Sequence, residues 1–201
     1  MLDNMNKNNK ENNTNPSDEE LIERFQEGDI YAFEQLVYRY KDRLMNFVYN
    51  FLKNRVEAED VVQETFLRLY RNRHSYKKIA KFSTWFYTIA ANLAKTELRK
   101  RKRKSLLSIS KMGVEDKDYD IPDLTLSPEK KVSSNIREKI IRDKIEELPL
   151  KFREVIILRD IEQCSYEEIC DILNIPIGTV KSRINRGRQK LQKELKHLIE
   201  E

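Results

Sequence analysis

The chain has 201 residues, 36% of them charged and 39% hydrophobic, with only four Gly and five Pro. That balance suits one or two small domains of short amphipathic helices better than a large single core or an extensive sheet. No apolar run approaches the length of a membrane span, and the polar N-terminus is unlike a signal peptide, so a cytoplasmic protein with no membrane insertion is expected.

In chain order, residues 1–16 hold seven Asn and few apolar side chains, which predicts a disordered tail. Ser17 followed by Glu20 forms a capping box ahead of Leu21, Ile22 and Phe25. A second helix is predicted from about 29 to 53, because Phe33, Leu36, Val37, Tyr40, Leu44, Phe47, Val48 and Phe51 recur at threes and fours. A third, from about 56 to 72, carries Val61, Val62, Thr65, Phe66 and Leu69. A fourth runs from about 83 to 104. These helices make a first domain over 17–104. Residues 105–127 lack a sustained period, contain Pro122, and are read as a flexible acidic linker. The second domain, 128–201, has helices near 128–147, 151–161, 165–174 and 177–199. The fold class is therefore all-α, with two small helical domains.

Charge is distributed unevenly around a net of +5. Residues 95–104 and residues 181–196 each hold seven Lys or Arg against one Glu, whereas residues 115–129 hold six acids against one Lys. Two basic blocks around an acidic connector point to two contacts with a polyanion, most simply nucleic acid. On the fourth helix, Phe86, Ile89, Ala90 and Leu93 share an apolar side. Thr88, Asn92, Lys95, Thr96 and Arg99 form a separate polar stripe, continued by Arg103. Amide, hydroxyl and cation on one face can touch both bases and phosphates. Just upstream, Tyr76 and Phe82 lie among Arg71, Arg73, His74, Lys77, Lys78 and Lys81, a mixture suited to stacking bases along a charged path. Trp85 is read as a core residue. Glu57, Glu59, Asp60, Gln63 and Glu64 give the third helix an acidic surface; helix-dipole stabilisation and a docking site for a basic partner explain it equally.

Residues 165–188 read as a helix-turn-helix. Ser165 and Glu168 form a second capping box, Ile169, Ile172 and Leu173 give one apolar face, and Pro176 stops the first helix and suits the start of the next. Val180, Ile184, Leu191, Leu195 and Leu198 then define the inner side of a basic helix. Ser182, Asn185, Arg186, Gln189 and Lys193 lie opposite, as a major-groove reader requires. Cys164 and Cys170 match neither a zinc nor a redox spacing and suggest a reducing compartment.

Four segments in order, GDIYAFEQLVYRY (28–40), AEDVVQETFLRLY (58–70), FSTWFYTIAANLAKTELRKRKRK (82–104) and the helix-turn-helix, resemble bacterial RNA polymerase sigma factors of the extracytoplasmic-function (ECF) group. The resemblance implies that Asp60, Gln63 and Glu64 dock on the clamp helices of the largest subunit of core RNA polymerase. It implies that Thr88, Asn92, Lys95, Thr96, Arg99 and Arg103 read the −10 promoter element and hold the melted non-template strand, with Asn92 beside a captured base. Lys181, Ser182, Asn185 and Arg186 would face the −35 element in duplex DNA, while Arg183 and Arg188 hold phosphates. An anti-sigma protein is a further implied partner. The acidic linker would follow the RNA exit path or serve as a solvated tether.

The alternative is a stand-alone helix-turn-helix regulator binding duplex operators, which leaves the third and fourth helices without a purpose. An enzyme is not expected: His74 and His197 are far apart, no carboxylate cluster suggests a metal, and no catalytic residue or cofactor site stands out.

Overall fold

The computed structural model describes residues 15–112 and 134–196; the Asn-rich residues 1–14, the acidic stretch 115–129, His197 and Leu198 lie outside them. The described residues form eight α-helices and no strand. Helix α1 (Asp18–Gln26) starts at the expected capping box: Ser17 Oγ accepts from the Glu20 amide, and the Ser17 amide donates to Glu20 Oε2 at 2.6 Å. Gly28, at φ 106°, turns the chain in a region closed to most side chains. Asp29 then caps α2 (Ile30–Leu52), accepting from the Ala32 amide. Lys53 adopts a left-handed conformation to end α2, and Asn54 caps α3 (Arg55–Arg71). A single 3₁₀ turn (Arg73–Ser75) leads through the basic loop to α4 (Phe82–Met112).

The core of this first half is aromatic. Tyr40, Phe47, Phe82, Phe86 and Tyr87 are fully buried, and the Tyr40 ring meets Phe82, Phe86 and Tyr87 edge-on, with centroids 5.4 to 6.3 Å apart. Edge-to-face contact places the positive rim of one ring on the negative face of the next, adding about 1 kcal/mol per pair beyond burial. Trp85 packs partly buried against this cluster, as expected.

The second half comprises α5 (Ser134–Glu147), α6 (Leu150–Ile156), α7 (Tyr166–Leu173) and α8 (Ile177–Glu194). Its core is mainly aliphatic, with Val155, Ile156, Leu158, Ile172 and Ile184 buried around Phe152. Helices α6 and α8 cross closely because Gly187 lacks a side chain: a Cβ there would lie 2.9 Å from Ile156 Cγ1. The second capping box is present at Ser165 and Glu168. Asn174, at φ 55°, ends α7, and Pro176 precedes α8. Cys170 packs against the core; Cys164 is buried, and burial pushes its thiol up to about 12, so it is a protonated packing group.

Three features depart from expectation. Helix α4 continues to Met112, so the stretch from 105 begins as helix rather than linker. The predicted helix 151–161 is interrupted, with a π turn over Ile157–Ile161 following α6. Helix α8 ends at Glu194 rather than near 199, its last turn closed by the Leu195 amide on Leu191 O. The two halves also touch, α2 against α6 and α4 against α7.

Candidate nucleic-acid and polymerase interfaces

Helix α4 buries Phe86, Tyr87, Ala90, Ala91 and Ala94, which turns the polar stripe outward. Asn92, Thr96, Arg99 and Arg103 are exposed and Thr88 is half-buried. The two threonine hydroxyls donate back along the helix, Thr88 to Thr84 O at 2.7 Å and Thr96 to Asn92 O at 2.8 Å. Each therefore offers an outside partner only its acceptor lone pairs and methyl group. The Asn92 amide keeps both functions toward solvent, as recognition of an unpaired base requires. Lys95 differs from its neighbours: it is half-buried, burial lowers its pKa, and its Nζ donates to Leu173 O at 2.7 Å. Arg101, on the other side of α4, donates to Leu52 O and pairs with Glu57.

The loop before α4 is pinned by Gln26, whose amide donates to Arg73 O and Tyr76 O. Stacking of bases on Tyr76 and Phe82 is overturned here. Both rings are buried, packed against each other and Trp85, and the Tyr76 hydroxyl donates to Ala80 O. Among the loop cations, Lys78 pairs with Glu23 and Lys81 with Glu168, while Lys77 and His74 are exposed. The apolar side chain presented instead is Ile79, 90% exposed among these bases. Its signal in the sequence is a lone aliphatic residue inside a basic run.

On α8, burial of Val180, Ile184 and Gly187 leaves Lys181, Ser182, Asn185 and Arg186 exposed along one side. Ser182 Oγ donates to Thr179 O. Arg183 turns inward to Glu154, 2.7 Å away, and Arg188 pairs with Asp160. Glu154 is largely enclosed; burial raises its pKa, and the Arg183, Lys95 and Arg153 charges oppose the rise. Arg183 thus anchors α8 to α6, and Arg188 holds its partner at the surface.

On α3, Asp60 and Gln63 are exposed and Glu64 is half-buried. Glu59 pairs with Arg55, Glu64 with Arg68, and Glu57 with Arg101, so much of the acidity is balanced locally. Val56, Leu67 and Tyr70 are also exposed and recur with Asp60 and Gln63 at spacings of four and three. An apolar row threaded with acid and amide suits contact with protein better than with DNA. The sequence signal is that these residues fall off the stripe of Val61, Val62, Thr65 and Leu69 that α3 buries. The described residues contain no group of His, Cys, Asp and Glu able to hold a metal ion. They contain no helix long and apolar enough to cross a membrane.

Comparison with known proteins gives these surfaces a common setting. Residues 36–104 match the family model for sigma-70 region 2, and residues 138–191 match that for sigma-70 region 4. The chain is 43% identical to the ECF RNA polymerase sigma factor SigW of Bacillus subtilis, over 88% of this chain and 96% of that one. It is 35% identical to the RNA polymerase sigma-H factor of Pseudomonas aeruginosa, over 94% and 98% of the two chains. Among solved structures, the sigma factor RpoE of Bartonella quintana, crystallised with the anti-sigma factor NepR, superposes with a TM-score of 0.67 at 29% identity, covering 82% of this chain and 96% of that one. Two sigma regions in order, with relatives matched over nearly their full length, place the chain in the ECF sigma factors, which bind RNA polymerase and direct it to promoters to initiate transcription.

Proposed function

We propose that this sigma factor divides its work among three faces. A first unit, 17–104, binds polymerase through Asp60, Gln63 and Glu64, extended by the apolar row of Val56, Leu67 and Tyr70. The same unit reads the −10 element through α4: Asn92 receives an unstacked base, Thr88 and Thr96 accept hydrogen bonds beside it, and Lys95, Arg99 and Arg103 follow the strand phosphates. A second unit, 128–201, lays α8 in the major groove of the −35 element. There Lys181, Ser182, Asn185 and Arg186 face the groove, with Arg188 at a phosphate and Arg183 fixing the helix.

The observation that carries this reading is sidedness. Helices α4 and α8 each bury one side in the interior, and each leaves an amide and at least one arginine outward on the other. Polymerase supplies all bond-making chemistry, and this chain acts without a catalytic group, metal or cofactor of its own. Capturing an unstacked base offsets an unstacking cost of a few kcal/mol, which is how strand opening becomes coupled to sequence. The protein works in the cytoplasm and takes an anti-sigma partner; the complex of the RpoE relative with NepR supports the latter.

Transcription of fragmented genomic DNA by bacterial core polymerase, with and without the protein, tests the reading through mapped RNA 5′ ends. New start sites sharing two spaced upstream motifs are expected. No new starts, together with no association with core polymerase, would favour a regulator acting on duplex operators.

A further inference from the structure

We infer that the two halves of the free protein clasp each other, and that the clasp masks part of the −10 face. Its centre is Glu162, whose side chain is 3% exposed although it is charged and lies at the end of the π turn. Both of its partners come from the other half: the Tyr87 hydroxyl donates to Oε2 at 2.6 Å, and Arg43 Nη2 lies 2.7 Å away. A buried carboxylate is tolerated only when so paired, so Glu162 is built for the closed arrangement. The π turn is part of the device, its widened backbone ending with the Glu162 amide on Ile157 O.

The other contacts share one polarity. Among the described residues, each ion pair between the halves has its base on the first and its acid on the second: Arg43 with Glu162, Lys53 with Glu146, and Lys81 with Glu168. Lys95 follows suit without a carboxylate. Its ammonium meets Leu173 O in the last turn of α7, where unpaired carbonyls concentrate partial negative charge. The second half therefore sets Glu168 and a helix C-terminus against Lys81 and Lys95, the two of these cations that lie on the loop and stripe assigned to the −10 strand. Lys95 is half-buried where α4 packs on α7 and holds Leu173 O there, so its full engagement with the −10 strand requires the halves to part. This inference rests on the −10 assignment of α4 for its consequence, while the clasp itself rests on the contacts alone.

The test uses the full chain as wild type, Glu162→Arg, and the charge swap Arg43→Glu with Glu162→Arg. Neither position belongs to the proposed DNA or polymerase faces. Small-angle X-ray scattering reads the closure, circular dichroism confirms unchanged helix content, and association with bacterial core polymerase is measured separately. The expected result is a wild type more compact than Glu162→Arg, whose radius of gyration rises by several Å at equal helicity, with the swap restored to the wild-type value. If the closed form holds nine molecules in ten, polymerase-free affinity for a random-sequence single-stranded 30-mer is about tenfold weaker in the swap than in the opened variant. Indistinguishable scattering from all three proteins would overturn the clasp. Loss of association with core polymerase in the wild type would instead count against the sigma assignment of the faces, and the scattering result would still decide the clasp.

Discussion

The two halves solve the same problem with different materials. The first encloses a cluster of large aromatic rings between α2, α3 and α4, so its proposed DNA-facing stripe sits on a stiff support, and Arg99 and Arg103 on that stripe are exposed. The second packs α5 to α8 around a mainly aliphatic core, and it uses α8, its proposed DNA-reading helix, for stability: Arg183 is tied to Glu154 and Arg188 to Asp160. Binding and folding are thus separable on α4 and partly fused on α8. A substitution of Asn92, Arg99 or Arg103 on α4 should change DNA recognition alone, whereas one of Arg183 or Arg188 on α8 can change both.

The largest expected effect lies in the aromatic core. Phe86→Ala removes a ring packed against Tyr40, Phe66 and Phe82 and should cost about 3–5 kcal/mol in denaturant unfolding. Gly187→Leu probes the other half; overpacking against Ile156 should cost about 1–3 kcal/mol and loosen α8 without altering the first half. Arg183→Ala should lower stability and duplex binding together, since it leaves the enclosed Glu154 carboxylate unpaired; a change in binding with an unchanged melting curve would break the proposed fusion of roles. Asn92→Ala should leave unfolding unchanged while reducing promoter opening by about tenfold, read as permanganate reactivity of the melted strand. The smallest effect concerns the second capping box, where Ser165→Ala should cost about 1 kcal/mol.

Glu168 gives the comparison a pH dimension. Burial raises its pKa, but hydrogen bonds from the Ser165 amide and Lys81 outweigh burial and hold the carboxyl below its usual 4.5. A depressed folded-state value means that the stabilisation is fully present above the ordinary carboxylate range and is lost as pH falls through the depressed one. Acidification below 4.5 should therefore weaken the start of α7 and its link to Lys81. Glu168→Gln should flatten that part of the stability profile.

Helix positions were largely legible in the sequence, because threes-and-fours patterning and side-chain caps are local. Residues 30–52 and 55–71 lie within a residue or so of their expected spans, and both capping boxes form. The stripe on α4 and the outward side of α8 were legible for the same reason. What a wheel cannot supply is the partner across the gap. Lys95 and Arg183 fall on polar sides yet turn toward Leu173 O and Glu154, which are remote in sequence. Tyr76 and Phe82 stand among cations yet fill the core, because burying an aromatic ring outweighs the polarity of its neighbours. The π turn at residues 157–161 arises where α6 meets both α8 and α2, a tertiary circumstance with no local pattern.

The central claim is that two helices of one chain read two separate promoter elements. It is tested most directly by base-substitution scanning of a mapped promoter, transcribed by core polymerase with wild type, Asn92→Ala or Arg186→Ala. Asn92→Ala should lose discrimination at one position of the −10 element and leave the −35 profile intact. Arg186→Ala should relax one −35 position, worth about 1–3 kcal/mol, and leave the −10 profile intact. Identical profiles from the two variants, or uniform loss at both elements, would contradict the assignment.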